Sequence, residues 1–286
     1  MDSKDFDVKE KIQWCPGCGN FGLIAALKGA MADLELKQHE TVVVSGIGCS
    51  SKLPHYVDTY GFESIHGRGL PVASAIKLSN HNLDVVSVGG DGDGYGIGVQ
   101  HFIHIMRRNY NLTYIVHNNQ IYGLTTGQAS PTTMLGAKTK TTPWGVVEEP
   151  FKPLTVAING GATFVARGYV GDPVHLKELF KQAIEHKGFA FVDVFQPCVT
   201  FNKINTYPWF QKRVYKLENN DVTDKWAALK NAAEDEETNF EKVPIGVFYK
   251  VEKPTYESTL PQIKDKPMVE QDIENVDISE AYNELE

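Results

Sequence analysis

The sequence predicts an α/β fold in which helices cover both faces of an open, mostly parallel sheet. The main observation is a strand–helix–strand unit. An apolar run at 85–88 leads through a Gly/Asp-rich turn and a helical stretch to a second β-like run at 112–116. A crossover helix makes the two strands of such a unit parallel. Further β-prone runs at 41–45 and 189–195, each next to a helical pattern, extend the same architecture.

The first half of the chain gives clear local signals. Asn20 caps a helix over 21–36, whose apolar residues recur at helical spacing. After the strand that follows comes a loop over 46–69, which is much longer than ordinary connections and is therefore a functional candidate. Pro71, at a first helical position, begins a helix that reaches about residue 79.

The second half contains a long polar segment at 124–153, which we expect to form a lid or to face a partner. The elements predicted after it are a strand at 164–166, a helix at 173–187 opened by Asp172, a strand at 189–195, a helix at 223–233 and a strand or extended arm at 245–249. From residue 250 onward no core pattern is present, which predicts a surface arm or disorder.

Length and composition predict one large domain over 1–210 and an acidic extension over 211–286. The chain has 286 residues, 42% of them hydrophobic, which is enough for one substantial core. The net charge is −8, and residues 234–286 alone contain fifteen acidic and five basic residues. This balance argues against nucleic acid as a partner.

The expected compartment is the cytoplasm. No stretch reaches the ~18 apolar residues of a membrane span, and the polar residues 1–11 do not resemble a signal peptide. The four cysteines of such a protein favour metal binding over disulfides.

Asp91 and Asn119 are the strongest candidate metal ligands. Each follows one of the two parallel strands of the central unit, so both side chains are expected at the edge of the sheet where open α/β proteins bind ligands. Carboxylate and amide oxygens suit Mg²⁺, which takes its remaining ligands from phosphate and water. The pair, twenty-eight positions apart, is a far more specific signal than either residue alone.

The turn that contains Asp91 is suited to an anion. Its glycines (Gly89, Gly90, Gly92 and Gly94) remove Cβ atoms and let backbone N–H groups approach a phosphate. A helix that begins near 95–98 adds a favourable dipole. A glycine-rich turn by itself is typical of an ordinary tight turn. Together with the metal pair, however, it predicts a diphosphate bridged to the protein by a divalent ion.

The cysteines allow several interpretations. Cys15 and Cys18 form a C-x-x-C pair, which is typical of a redox dithiol, a zinc site or an iron–sulfur cluster. Cys49 and Cys198 complete a four-thiolate set by number, but they are equally interpretable as ordinary buried thiols.

The combined pattern resembles a known family. Gly90-Asp91-Gly92, then Asn119 and the run Gln120-Ile121-Tyr122-Gly123, resemble the thiamine-diphosphate motif. With the surrounding runs 15–19, 46–49 and 126–128, the chain resembles the beta subunit of 2-oxoacid:ferredoxin oxidoreductases over about 12–209. The resemblance implies the diphosphate-binding half of a thiamine-diphosphate fold. It also implies Mg²⁺ held by Asp91, Asn119 and the carbonyl of Ile121.

The resemblance also implies a role for each remaining candidate. A single [4Fe-4S] cluster is held by Cys15, Cys18, Cys49 and Cys198. The thiamine cofactor is contacted by residues of three loops: Ile47, Gly48, Cys49, Ser50, His66, Gly92, Asp93, Gly123 and Leu124. Lys52 is expected to hold the substrate carboxylate, and Leu124 to shape the substrate pocket.

Without the resemblance, these residues have simpler interpretations. Residues 47–50 are typical of a strand-ending turn, His66 of a satisfied loop histidine, and Lys52 of a surface lysine. Trp144, Trp209 and Trp226 are interpreted as packing or interface residues.

The expected activity is the coenzyme A-dependent oxidative decarboxylation of a 2-oxo acid, with electrons passed through the cluster to ferredoxin. An alpha subunit is expected to supply the pyrimidine-binding domain and the activating glutamate. Relatives that carry a lysine within the run 124–126 differ from this chain, which reads Leu-Thr-Thr there. The alternatives are a non-redox thiamine lyase or synthase with a structural zinc, and a zinc-stapled interaction module.

Overall fold

The computed structural model describes residues 1–274 and 276–285, so residues 275 and 286 of the predicted extension lie outside the described residues. The strands are β1 (Thr41–Ser45), β2 (Tyr60–Glu63), β3 (Asp84–Gly90), β4 (Leu112–Asn118), β5 (Phe164–Tyr169), β6 (Phe189–Phe195), β7 (Val214–Lys216) and β8 (Val243–Lys250). The helices are α1 (Asn20–Asp33), α2 (Gly69–Ser79), α3 (Val99–Arg108), α4 (Pro153–Gly160), α5 (Pro173–Glu185), α6 (Tyr207–Gln211), α7 (Lys225–Glu237), α8 (Tyr256–Thr259) and α9 (Ser279–Asn283).

The described strands form one eight-stranded sheet in the order β2-β1-β3-β4-β6-β5-β8-β7. Neighbouring strands are parallel except for β5 and β8, which are antiparallel. The central strands β1, β4 and β6 are buried along their whole length. Continuous apolar runs such as Thr41–Ser45 are what a parallel sheet covered on both faces requires, because neither face of the strand meets water.

Helices cover both faces of the sheet, as the sequence predicted. On one face α1 and α5 pack through residues such as Leu27 and Phe180. On the other face α2, α3, α4 and α7 pack through residues such as Phe102 and Ala228. The strands contribute alternate side chains to the two cores, since successive residues of a strand point to opposite faces. The predicted fold class is therefore confirmed.

Four local predictions were wrong. Asn20 does not cap α1 but is its first residue, after an N-cap at Gly19. The loop predicted over 46–69 contains a 3₁₀ helix (Ser50–Tyr56) and the edge strand β2, whose side chains are exposed and so lack an apolar signature. The turn after Asp91 is π-helical over Gly92–Ile97, and α3 begins only at Val99. The segment after residue 250 does pack: α8 lies against the body of the domain, and Ile263 is buried.

The segment predicted as an extension also contributes to the sheet. Strands β7 and β8 pair with each other, β8 pairs with β5, and α7 packs on the face shared with α4. The domain boundary at residue 210 stays a prediction. In residues 1–274 and 276–285, we find no helix with both the length and the apolar character that a bilayer span requires.

Candidate cofactor and metal site

Two adjoining cavities lie at the carboxyl edge of the sheet. The larger, which we call the edge cavity, has a volume of about 430 Å³. Its lining comprises Ile47, Gly48, Cys49, Ser50, His66, Gly90, Asp91, Gly92, Asp93, His117, Asn119, Ile121, Tyr122, Gly123, Leu124, Thr125 and Gln128. The residues predicted from sequence to hold Mg²⁺ or to contact thiamine all line this cavity. Parallel strands explain the convergence, because their carboxyl ends meet at one edge.

Asp91 is buried at the base of the edge cavity, directly after β3. Its Oδ2 accepts a hydrogen bond from Thr132 Oγ1 at 2.7 Å. Burial raises the pKa of the Asp91 carboxyl to about 6, although the hydroxyls of Ser130 and Thr132 and the N–H of Asn119 oppose the shift. A carboxylate taken out of water in this way is stabilised by a nearby cation.

Asn119 stands beside Asp91 because β3 and β4 are neighbours in register, with Gly90 opposite His117. The Oδ1 of Asn119 accepts a hydrogen bond from the N–H of Ile121 at 3.1 Å. Between these two residues Gln120 adopts a left-handed conformation with φ 56°. This turn brings Ile121, the predicted third ligand, back to the lining of the cavity.

Asp93 also lines the edge cavity, and its carboxylate binds the loop opposite. Its Oδ1 accepts hydrogen bonds from the N–H groups of Ile47 at 2.9 Å and Gly67 at 2.7 Å, and lies 3.1 Å from His66 Nδ1. Burial raises the pKa of Asp93, and these donors lower it. Gly46 is required here because a Cβ would overlap the Asp93 carboxylate. Asp93 therefore fixes the cavity wall as well as lining it.

Tyr122 is a wall residue that belongs to the run 120–123 of the motif but was given no role from sequence. Its hydroxyl donates a hydrogen bond to the carbonyl of Gly92 at 3.0 Å, and its ring covers Gly92 so closely that a Cβ there would overlap it. The glycine at position 92 is thus needed for packing at least as much as for an approach to phosphate. The signal was present in the sequence, since Tyr122 directly follows the predicted metal-binding segment.

Ser50 presents a polar atom to the edge cavity. The side chain is 3% exposed, and no hydrogen-bond partner for its Oγ is found in the described part of the chain. A buried hydroxyl without a partner is costly, so its position in the cavity lining fits a polar ligand group. The strand-ending turn expected as the simpler interpretation of 47–50 is also present, since Ser51 Oγ donates to the carbonyl of Gly48 at 2.6 Å.

The second cavity, which we call the cysteine cavity, has a volume of about 220 Å³. Its lining includes all four cysteines of the chain, which are free thiols: Cys15, Cys18, Cys49 and Cys198. Lys52 lines this cavity and does not line the edge cavity. Trp14, missed from sequence, closes one side and donates a hydrogen bond from Nε1 to the carbonyl of Cys49 at 2.8 Å.

Two thiols of the cysteine cavity are strongly disfavoured as isolated thiolates. Burial, with a further contribution from the neighbouring cysteines, raises the pKa of Cys18 and of Cys49 to about 11. A bound metal centre reverses this preference, because coordination deprotonates a thiol outright. Four thiols around one cavity would therefore stabilise a bound cationic centre.

The spacing of the thiols bears on the kind of centre they fit. Among residues 1–274 and 276–285, no three His, Cys, Asp or Glu side chains lie close enough to hold one metal ion. A cubane of four irons places its own volume between four thiolates, so thiols spread around a cavity of about 220 Å³ suit it better than they suit a single ion. The residues present thus fit an iron–sulfur cluster, and the Asp91–Asn119 pair fits a divalent ion with a diphosphate.

The two cavities share a wall. Cys49, Asn119, Gly123 and Leu124 line both of them. A Cβ on Gly123 would lie 3.6 Å from the sulfurs of both Cys49 and Cys198, so the backbone of Gly123 passes close to both thiols. Leu124, 48% exposed, stands at the rim of both. A group bound in one cavity is therefore close to a group bound in the other.

The fold and this edge site define a thiamine pyrophosphate-binding domain. Residues 38–194 match the family model of the thiamine pyrophosphate enzyme C-terminal TPP binding domain. Residues 198–265 match the family model of the C-terminal part of the pyruvate ferredoxin oxidoreductase beta subunit.

Curated relatives identify the family of proteins within this class. The chain is 48% identical over 260 residues to 2-oxoacid:ferredoxin oxidoreductase 1, subunit beta, of Aeropyrum pernix, covering 87% of this chain and 81% of the relative. It is 47% identical over 272 residues to the corresponding beta subunit of Saccharolobus solfataricus, covering 89% and 88%. The chain belongs to the family of 2-oxoacid:ferredoxin oxidoreductase beta subunits.

A solved structure agrees over the whole chain. The 2-oxoglutarate:ferredoxin oxidoreductase from Magnetococcus marinus, solved with 2-oxoglutarate, coenzyme A and succinyl-CoA bound, superimposes with a TM-score of 0.92 at 38% identity. The match covers 100% of this chain and 96% of that chain. These relatives confirm the predicted family and give no support to a zinc-bearing lyase or an interaction module.

Proposed function

We propose that this beta subunit binds magnesium–thiamine diphosphate in the edge cavity and a [4Fe-4S] cluster in the cysteine cavity. The enzyme that contains it converts a 2-oxo acid and coenzyme A to an acyl-CoA and carbon dioxide, and passes electrons to ferredoxin. The observation that carries the proposal is the shared wall formed by Cys49, Asn119, Gly123 and Leu124. An electron leaving the thiamine site has a redox centre directly behind that wall.

In this proposal the oxygen ligands lie at the base of the edge cavity. Asp91, Asn119 and the carbonyl of Ile121 hold the magnesium ion, which bridges the protein to the diphosphate. Ser50 offers its unpartnered hydroxyl to the cofactor, while Ile47, Gly48, His66, Asp93 and Gly123 shape the surrounding wall. Asp93 keeps the loop after β1 against the turn after β3, so the cavity stays closed on that side.

The cofactor supplies the carbon chemistry, and the cluster accepts single electrons. The chain's part is to place the two within a short distance and to keep bulk water from the space between them. Lys52 lines the cysteine cavity, and in this proposal its ammonium group reaches the substrate carboxylate at the wall that the two cavities share. Leu124, at the rim of both cavities, presents an apolar surface to the rest of the substrate.

The alpha partner completes the site in this proposal. Thiamine enzymes use a glutamate to activate the aminopyrimidine, and within the described residues no glutamate lines the edge cavity. We therefore assign that glutamate to a pyrimidine-binding domain of the alpha subunit. We place the complex in the cytoplasm, because its four cysteines are free thiols and its electron acceptor is ferredoxin.

The test is reconstitution of the complex. The chain is purified with and without its alpha partner, and reduction of ferredoxin or a dye is followed with coenzyme A and a panel of 2-oxo acids that includes pyruvate and 2-oxoglutarate. We expect turnover only when the alpha partner is present. We also expect iron rather than zinc on metal analysis, and a brown chromophore. Full turnover by the isolated chain, or zinc in place of iron, would overturn the proposal.

A further inference from the structure

Asn118 is a buried amide directly beside the predicted metal ligand Asn119. It is the last residue of β4 and is 2% exposed. Consecutive side chains at a strand end point to opposite sides. Accordingly, Asn119 lines the edge cavity and Asn118 does not. A fully buried amide must satisfy both its oxygen and its nitrogen, so its partners indicate what it does.

The oxygen of Asn118 connects it to the other metal-ligand segment. Thr132 Oγ1 lies 2.9 Å from Asn118 Oδ1 and 2.7 Å from Asp91 Oδ2. Thr132 is itself 3% exposed, so water does not compete for these contacts. The hydroxyl has one proton, which it shares between these two acceptors in a three-centre hydrogen bond. Thr132 therefore holds the carboxylate of Asp91 against the end of β4.

The nitrogen of Asn118 makes a second, independent connection. Its Nδ2 donates to Asp193 at 3.1 Å and 3.3 Å to the two carboxylate oxygens. Asp193 Oδ1 also accepts a hydrogen bond at 2.7 Å from the hydroxyl of Tyr95, which lies in the π-helical turn just after Asp91. Arg167 Nε, 3.5 Å from Asp193 Oδ2, offsets the buried charge. The oxygen of Asn118 is thus connected to Asp91 through Thr132, and its nitrogen is connected through Asp193 to Tyr95, in the turn that follows Asp91.

We propose that Asn118 is a positioning residue for the magnesium site, acting through Thr132 on one side and through Asp193 and Tyr95 on the other. It fixes the spacing between Asp91 and Asn119 and touches neither the metal nor the cofactor. Ligands held at a fixed spacing lose little conformational freedom when the ion binds, so the affinity for the ion is higher. The inference rests on the magnesium–diphosphate site of the proposed function.

The two connections are broken separately by variants that preserve shape. Thr132→Val removes the hydroxyl from the first, and Tyr95→Phe removes the hydroxyl from the second. Calorimetric titration of Mg²⁺ into the alpha–beta complex, at a fixed excess of thiamine diphosphate, measures the result. We expect each variant to bind Mg²⁺ about 10–100-fold more weakly, the usual cost of removing a contact that supports a metal ligand.

Two controls separate positioning from a general loss of packing. Thr132→Ser keeps the hydroxyl and is expected to bind Mg²⁺ as the parent does. Thr113→Val removes a buried hydroxyl at the other end of β4, where it donates to the carbonyl of Ala183 at 3.1 Å. It is expected to lower stability without changing Mg²⁺ affinity. At saturating Mg²⁺, all variants should bind thiamine diphosphate with parental affinity.

The double variant Thr132→Val with Tyr95→Phe tests whether both connections act through Asn118. If both connections act through Asn118, the losses of Mg²⁺ affinity in the two single variants do not add up in the double variant, and this is the result we expect. Additive losses would mean that the two connections act independently. Parental Mg²⁺ binding by both single variants, or equal weakening by Thr113→Val, would overturn the inference. If Thr132→Val does not fold, Thr132→Ala compared with Thr132→Ser isolates the hydroxyl. A parent complex that binds no magnesium–thiamine diphosphate would instead overturn the proposed function.

Discussion

The edge cavity and the cysteine cavity share a wall, yet different forces hold their ligand groups in place. At the edge cavity the carboxylate of Asp91 accepts a hydrogen bond from Thr132, and the Oδ1 of Asn119 accepts one from the N–H of Ile121. Among the thiols, Cys18 accepts hydrogen bonds from Gln196 Nε2, at 3.4 Å, and from the backbone N–H of Asn20. The protein thus organises the oxygen ligands by itself.

The thiols are organised mainly by the chain segments that carry them. These segments are the loop before α1, the loop after β1 and the loop after β6. The hydrogen bonds that join them, such as the one from Trp14 Nε1 to the carbonyl of Cys49, go mostly to backbone atoms and not to the sulfurs. A bound cluster would supply the missing connections, because metal binding to a site formed by separate segments adds its free energy to folding. We therefore expect the cysteine cavity to depend on its metal for structure, and the edge cavity to keep its shape without one.

The largest effect is expected from Cys198→Ser. Cys198 lines the cysteine cavity and does not line the edge cavity, so the substitution acts on the cysteine cavity only. We expect iron content and ferredoxin reduction to fall by more than about a hundredfold, since even a supporting contact of a metal site is worth about 10–100-fold. Thiamine diphosphate binding should persist. Iron analysis and cofactor titration of the complex check both statements; a joint loss of iron and cofactor would show that the two halves are not separable.

The reciprocal substitution is Asp91→Asn, which should leave the cluster in place and remove the magnesium-dependent binding of thiamine diphosphate. Asparagine keeps the shape but loses the charge that a hard cation requires. We expect Mg²⁺ affinity to fall by about a hundredfold or more. Asp84→Asn, at the amino end of the same strand, is the matched control and should bind Mg²⁺ normally. Loss of iron from Asp91→Asn would contradict the comparison.

The metal-free protein should show the cost of burying Asp91. The pKa of Asp91 is about 6 in the folded chain against 3.8 for the ordinary group, so the folded state binds this proton more tightly. Stability from this group is therefore present at low pH and is lost as pH rises through about 6. The loss approaches about 3 kcal/mol, since one pKa unit corresponds to about 1.4 kcal/mol.

Urea unfolding of the metal-free chain at pH 5 and pH 7.5 measures the part of this loss that falls above pH 5, which is about one pKa unit or about 1.4 kcal/mol. Asp91→Asn removes the titrating carboxyl, so the difference between parent and variant reports on Asp91 alone. Other buried groups, such as His117, whose pKa burial lowers to about 3, contribute equally to both proteins. Magnesium with thiamine diphosphate should also abolish the difference. If the parent and Asp91→Asn lose the same stability between the two pH values, Asp91 is not the group responsible.

Much of the fold and of the edge site is predictable from local pattern. Valine-rich runs such as Thr41–Ser45 are buried on both faces, as the strands of a parallel sheet covered by helices are. The pairing of Asp91 with Asn119 follows from the strand–helix–strand unit between them, since both strands must end at the same edge. Strand β2 escaped notice because its four residues are exposed at the sheet edge, where no apolar alternation marks a strand.

The supporting residues were not predicted because their partners are distant in sequence. Thr132 contacts Asp91 across forty-one positions, and Tyr95 contacts Asp193 across ninety-eight. One local signal was available: Asp193 interrupts the apolar run Phe189–Phe195. A carboxylate inside a buried strand requires polar partners, because an isolated buried charge is very costly. Such an aspartate therefore predicts a buried polar network, although not its members.

The smallest expected effect concerns Ser50, in the lining of the edge cavity. Ser50→Ala removes a buried hydroxyl for which no partner is found within the described residues, so the metal-free chain should not lose stability. If that hydroxyl bonds the cofactor, removing it costs about 1 kcal/mol, which weakens thiamine diphosphate binding by about fivefold. Iron content should be unchanged, because the serine lines only the edge cavity. Thermal unfolding with and without cofactor distinguishes the cases: lower stability of the metal-free variant would mean that Ser50 supports the loop itself, and the assignment to the cofactor would be wrong.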